Sequence, residues 1–308
     1  MHLKYRPKTF EELFGHSAVK KALSESKLDR PILLIGLSGI GKTTIAYILA
    51  NRFGCNEEGI IHHNCFHFSG IDRVREVVND LNRSSLFSDK KVLILDEIHG
   101  LSAQAQQELL IPLENLSENV LVIACTTTID KVKDTLVSRF ISYNLLPLTR
   151  DEIAALLKYV TTEEGIHLTK PVKSLLLKHS EGIPRRLLTG LTKIKGLDDL
   201  DEIEYILQKN ILEEEGDVYE FFKALMSGLS WSIISKKLST LLKSNTPESI
   251  RVSLVNLIGS RILYSKDRIK DEKAIICLLG TLTQNVSDYL LKSYLIAAIY
   301  SFCSGEKK

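Results

Sequence analysis

Eight consecutive residues, Gly36-Leu37-Ser38-Gly39-Ile40-Gly41-Lys42-Thr43, have types and spacing suited to holding a chain of phosphates. The glycines let the backbone turn tightly, so that the N–H groups of Ser38, Gly39, Ile40 and Gly41 can point inward at anionic oxygens. A helix running on from Lys42, Thr43 and Thr44 adds the partial positive charge of its N-terminus. Lys42 supplies a mobile cation, and the Thr43 hydroxyl suits a Mg²⁺ ligand. Further along, Asp96-Glu97 offers two carboxylates with separable duties. Asp96 is placed to hold Mg²⁺, and Glu97 to orient and polarise an attacking water. Together these parts are the minimum kit for hydrolysing a phosphoanhydride, and they predict ATP and Mg²⁺ as cofactors. The bland alternatives are a chance glycine turn and a solvated acidic turn; finding both motifs in one chain counts against each.

Such groups act only if strands deliver them to one edge. Apolar runs at residues 31–35, 92–95 and 120–124 end in glycine, carboxylates and threonines respectively. Separated by helical patterns, they predict a parallel sheet buried on both faces, with its chemistry at the carboxyl ends of the strands. Pro147 closes this region, and Thr149-Arg150-Asp151-Glu152 reads as a capping box. From there the pattern is helical. Ile153, Leu156, Leu157 and Val160 share one face; Val218, Phe221, Phe222, Leu225 and Leu229 share another. Thr246-Pro247 reads as an N-cap with proline following. The acidic stretch 198–215 is expected to hold a linker.

The chain has 308 residues, enough for two or three domains, with 44% hydrophobic and 25% charged residues. A net charge of +2 argues against a strongly basic DNA-coating protein. Five cysteines, with no C-x-x-C pair, argue against a disulfide framework or a four-cysteine zinc site. No signal-peptide core or spanning segment of roughly 20 apolar residues is visible. The run 290–303 comes nearest and reads as a buried helix. A cytoplasmic location is expected, or a nuclear one in a eukaryotic setting.

Tyr5-Arg6-Pro7-Lys8-Thr9-Phe10-Glu11-Glu12-Leu13-Phe14-Gly15-His16 resembles the N-terminal box of AAA+ clamp-loader subunits, the bacterial DNA polymerase III gamma/tau subunit and the replication factor C small subunits. The resemblance implies that Tyr5, Arg6, Pro7, Gly15 and His16 pack around the adenine, with His16 where the family often has glutamine. It aligns Thr127 with sensor 1, a polar group facing the γ-phosphate. It makes Arg139, in Ser138-Arg139-Phe140, an arginine finger for a neighbouring subunit, with Phe140 where the family has cysteine. It makes Arg185, in Gly182-Ile183-Pro184-Arg185, the sensor 2 residue of a lid helix. Without the family, both arginines read as surface residues.

The likeness covers residues 3–195 by motif and implies an α/β AAA+ P-loop domain (1–148), a small helical lid (149–208) and an all-helical collar for oligomerisation (209–308). The bacterial zinc module is missing, which suggests a compact, phage-encoded or divergent member. By likeness, the start of the helix after Ser69 lines a DNA passage, with Ser69 and Arg73 as phosphate contacts; a solvated helix face is the competing reading. Gln104, Gln106 and Gln107, on a helix expected over 102–113, form a second, uncharged candidate DNA face. His63, Cys65 and His67 alternate onto one strand face, with His62 pointing away, so zinc is weighed against an ordinary packed strand.

The resemblance implies an ATP-driven subunit that loads a sliding clamp onto primer-template DNA through backbone contacts. Its partners would be the clamp and other loader subunits in a pentameric ring, with no membrane. Two alternatives stay open: another AAA+ DNA remodeller, such as a helicase loader or branch-migration motor, or a non-hydrolysing scaffold subunit.

Overall fold

The structure is a computed structural model describing all residues except 2, 67–69, 83–88, 215, 246, 265–271, 285 and 305–308. It divides into two compact units, Met1–Thr192 and Lys193–Lys308.

In the first unit five parallel strands, β1 (Ile32–Gly36), β2 (Ile60–Asn64), β3 (Lys91–Asp96), β4 (Val120–Thr126) and β5 (Ile141–Leu145), stand in the order β2-β3-β4-β1-β5. Alternation across the pleat explains why the central runs are apolar throughout. Ile32, Leu34, Val92, Ile94, Leu121 and Ile123 join one core, with Leu23 of α1 (Ser17–Glu25) and Ile45 and Leu49 of α2 (Lys42–Phe53). Leu33, Leu93, Leu95, Val122 and Ala124 join the opposite core, with Val74 and Val77 of α3 (Ile71–Asn82). Burying one such side chain contributes about 1.5–3 kcal/mol.

Three expectations change in this unit. The helix over 102–113 is two pieces, α4 (Ala103–Glu108) and α5 (Leu110–Glu114), capped at its start by Ser102, whose Oγ accepts from the Ala105 N–H. Pro112 lacks an N–H and its ring crowds the Glu108 carbonyl, which favours the break at Leu109. Gln106 is buried, donating to the carbonyls of Leu101 and Lys131 and accepting from the Lys133 N–H, so it straps a loop and cannot face DNA. β2 ends at Asn64, so the buried Cys65 lies beyond the strand; His67 is outside the described residues. No group of three His, Cys, Asp or Glu among the described residues could hold a metal.

After α6 (Asp134–Val137) and β5 come three helices, α7 (Arg150–Glu163), α8 (Lys170–Ser180) and α9 (Pro184–Ile194). The capping box is present in both directions: Glu152 N–H to Thr149 Oγ1, and Thr149 N–H to Glu152 Oε2. Ile153, Leu156, Leu157 and Val160 are buried, as their spacing requires.

The second unit is helical: α10 (Leu200–Glu214), α11 (Gly216–Met226), α12 (Trp231–Ser244), α13 (Pro247–Tyr264), α14 (Glu272–Leu282) and α15 (Asp288–Ser304). The expected acidic linker is mostly α10, because Ile203 and Leu207, one turn apart, bury an apolar stripe beneath the charges. This helix crosses the expected boundary at 208/209 and packs against α11 and α13. Val218, Phe221, Phe222 and Leu225 enter the core, but Leu229 lies past the helix end and is exposed. Leu291, Leu295 and Ile299 of α15 are buried. The expected cap Thr246 is outside the described residues; Pro247 opens α13. No helix among the described residues is long and apolar enough to cross a membrane.

Candidate nucleotide site

A cavity of ≈920 Å³ lies at the carboxyl ends of β1, β2 and β3. Its lining includes Ser38, Gly39, Ile40, Gly41, Lys42, Thr43 and Thr44 from the loop and helix start, and Asp96 and Glu97 from the end of β3. Tyr5, Arg6 and Pro7 line it from the N-terminal segment, and Arg185 from α9.

Gly41 caps α2 at φ 114°, a left-handed conformation that costs a side chain dearly, and so turns the loop into the helix. Gly39, at φ 76°, lies under Arg185: a Cβ there would come within 2.8 Å of the arginine's own Cβ. The Arg185 N–H reaches the Gly39 carbonyl at 3.4 Å, and its Nη1 lies 3.5 Å from Ser38 Oγ. The start of α9 thus sits directly on the phosphate loop. Pro184 is its first residue, where a missing N–H costs nothing.

Lys42 is buried, and its Nζ donates to the carbonyls of Gly36 (2.9 Å) and Leu37 (3.1 Å). Burial lowers its pKa below 10.5, opposed by nearby Glu97 and Asp96. Thr43 Oγ1 donates to Asp96 Oδ2 at 2.8 Å, and His62 Nε2 stands 3.7 Å from the same oxygen. Burial would raise the Asp96 carboxyl, but His62 and Thr43 outweigh it and hold it below 3.8. An ionised carboxylate touching a hydroxyl at the mouth of a cationic loop is a donor set that fits a divalent metal bound with a polyphosphate.

Glu97 takes the left-handed φ of 53°, rare for a side-chain-bearing residue. Its Oε2 accepts from the Thr127 N–H at 3.2 Å and the Thr127 hydroxyl at 3.1 Å. The two sequence-distant residues expected at the γ-phosphate are therefore in contact.

The N-terminal box divides in two. Tyr5, Arg6 and Pro7 line the cavity, whereas Gly15 and His16 stand behind it. His16 Nε2 is 3.2 Å from the Ile40 carbonyl oxygen, and burial lowers its pKa below 6.5. Gly36 also supports from behind: a Cβ there would meet the Leu145 carbonyl oxygen at 2.6 Å. Arg139 is absent from the lining. Its Nη2 pairs with Glu114 Oε1 at 2.6 Å, and buried Phe140 anchors the backbone next to it. Arg73 is exposed on α3 and paired with Glu76 at 2.8 Å; Ser69 is outside the described residues.

Sequence reasoning missed Tyr159, Leu156 and Glu163, which carry α7 into the cavity wall. The Tyr5 hydroxyl donates to Glu164 at 2.7 Å, and Tyr159 packs edge-on to Tyr5 and beside Phe14. An aromatic on the outer face of an amphipathic helix was the available signal. His99 was also missed, although it lies two residues from Glu97 and 3.3 Å from its Oε2.

A parallel sheet with this loop, acidic strand end and helical cover defines a P-loop ATPase fold. Residues 32–148 match the AAA family, described as "ATPase family associated with various cellular activities". The chain is 28% identical over 289 residues to DNA polymerase III subunit gamma of Buchnera aphidicola subsp. Acyrthosiphon pisum, covering 85% of this chain and 78% of that one. It is 28% identical over 232 residues to replication factor C small subunit 1 of Pyrobaculum aerophilum, covering 73% and 70%. Among solved structures, the Thermotoga maritima RuvB Holliday junction branch migration motor has a TM-score of 0.52 at 22% identity, covering 76% of this chain and 85% of that one, a likeness of fold. Residues 32–148 therefore carry an AAA ATPase domain, and the chain as a whole is similar to clamp-loader subunits, at modest identity.

Proposed function

We propose that this chain is the ATP-hydrolysing motor subunit of a sliding-clamp loader. The observation that carries the proposal is the convergence of Lys42, the Thr43–Asp96 pair and Glu97, itself bonded to Thr127, on one cavity, in a chain whose relatives are clamp-loader subunits.

Tyr5, Arg6 and Pro7 would flank the adenine, with Gly15 and His16 bracing them. The amides from Ser38 to Thr44 and the Lys42 ammonium would hold the phosphates. Thr43 and Asp96 would hold Mg²⁺, which when bound screens phosphate charge. Glu97 orients the water that attacks the γ-phosphorus as the bond to the leaving ADP oxygen breaks. Thr127 and Arg185 contact the γ-phosphate from the sheet and from the lid. Arg139, turned away from its own chain's site, would enter a neighbour's and offset charge on the transferring group.

In this reading α7–α9 act as the lid, the later helices as an oligomerising collar, and the assembly is a pentameric ring on primer-template DNA. Arg73, and Ser69 before α3, would touch DNA phosphates. The test is ATPase activity with and without the matching clamp and primer-template DNA. Stimulation by both is expected, with loss of turnover but retained nucleotide binding in Arg139→Ala. DNA stimulation without clamp binding, in the presence of a non-hydrolysable ATP analogue, would instead indicate another DNA remodeller.

A further inference from the structure

Glu97 has a second neighbour that the reaction scheme leaves unused. His99 sits on the short 3₁₀ turn Ile98–Gly100, and its side chain is 7% exposed. Its Nδ1 lies 2.9 Å from Thr126 Oγ1 and 3.3 Å from Glu97 Oε2. The Glu97 oxygen it faces is the one that accepts both Thr127 donors.

The surroundings leave the ring little freedom. Gly100 N–H bonds to the Glu97 carbonyl at 2.8 Å, and Leu101 N–H to the Ile98 carbonyl at 3.1 Å. Gly100 is pressed so close to β2's exit that a Cβ would lie 2.9 Å from the Phe66 nitrogen. Phe66 then packs edge-on against the imidazole, centroids 5.1 Å apart. Thr126 is fully buried, and its hydroxyl also accepts from the Thr128 N–H at 3.1 Å. A bare nitrogen lone pair facing a carboxylate would be repelled, so the proton belongs on Nδ1. Burial also holds the His99 pKa below 6.5, although Glu97 opposes the shift, so the ring is neutral near pH 7 and carries one N–H.

We propose that His99 is a positioning residue for Glu97: its Nδ1–H, shared with Thr126, pins Oε2 against Thr127 and leaves Oε1 for the attacking water. This rests on the hydrolysis reading above. It adds that the strained φ of Glu97 is held by a side chain two residues on, and not by the backbone turn alone.

The experiment compares steady-state ATPase kinetics, binding of a fluorescent ATP analogue and melting temperature for wild type, Glu97→Gln and three variants at His99. Asn places an amide N–H near the Nδ1 position, Gln places one near Nε2, and Phe keeps the ring and its contact with Phe66 but has no donor. His99→Phe and His99→Gln are expected to lower kcat by about tenfold with KM and analogue binding unchanged. His99→Asn is expected to return kcat to within about threefold of wild type. If Phe does not fold, the Asn–Gln contrast decides alone. Equal kcat for Asn and Gln, whether high or low, overturns the inference. A wild-type rate in Glu97→Gln would sink the hydrolysis reading itself, whereas an inactive Glu97→Gln beside a fully active His99→Gln sinks only the role of His99.

Discussion

Arg139 and Glu114 form an ion pair, Nη2 to Oε1 at 2.6 Å, on residues outside the cavity lining. The same guanidinium donates through Nη1 to the Thr135 carbonyl at 3.1 Å, while its Nε is buried and finds no partner among the described residues. A side chain held this way must exchange partners before it can serve another subunit. Pairs this exposed are worth about 0.2–1 kcal/mol, so the hold is weak and reversible.

On the proposal that Arg139 enters a neighbour's site, Glu114→Gln should raise the ATPase rate by about twofold, with chain stability changed by less than about 1 kcal/mol. Arg139→Ala should abolish turnover in the same assay. Steady-state rates across subunit concentration, with a melting curve, check both. A lower rate in Glu114→Gln would show that the pair orients the finger and does not restrain it.

Glu97→Gln should cut turnover at least about 100-fold while leaving ATP binding intact, because it keeps the size of the side chain and removes its charge. Equal rates would mark a scaffold subunit that binds nucleotide without using it. Burst and steady-state phosphate release distinguish the two outcomes.

Acid should loosen the fold through His16. Its folded pKa lies below 6.5, chiefly because it is buried, so the unfolded chain binds more protons as pH falls. Stability then rises with pH across this window and drops from about pH 7 toward pH 5. His16→Gln should flatten that slope in urea melts taken at intervals across the window. An unchanged slope would assign the acid sensitivity to other groups. Asp96 adds a separate loss only at lower pH, since its carboxyl is held below 3.8.

Tyr5→Phe should weaken ATP binding by about threefold with little change in kcat, because it removes one of the two N-terminal bonds to Glu164, leaving that of Lys4, while keeping the ring beside Tyr159. Glu164→Gln should have a smaller effect, as an amide oxygen still accepts the phenol. Equilibrium titration with a fluorescent ATP analogue checks the order. A larger loss for the glutamine variant would contradict it.

Much of the first unit was legible because its signals are local. The loop, the acidic pair and the capping box each depend on residues within eight positions, and all three appear where their spacing puts them. The break at Leu109 was hidden because amphipathic period and proline pull in opposite directions there. Gln106 misled because a buried amide and a solvent-facing one look alike until the partners at Leu101, Lys131 and Lys133 are brought near. The acidic stretch 198–215 misled because surface charge masked the buried pair Ile203 and Leu207. Tyr159 and His99 escaped because their importance comes from distant neighbours, Tyr5 and Thr126, which only the tertiary arrangement supplies.

The strand order has one more consequence. β4 lies between β3 and β1, so Thr43 after β1 and Asp96 at the end of β3, 53 residues apart, come into contact only once β4 stands between those strands. Until that long-range pairing closes, the phosphate loop lacks its carboxylate partners Asp96 and Glu97. Ligand affinity and sheet assembly are thus thermodynamically linked: saturating ATP at 100 times its Kd should add about 2.7 kcal/mol against unfolding. A nascent chain that has not yet synthesised residues beyond 126 gains none of that protection, so the ligand rewards only copies whose central strand is in place.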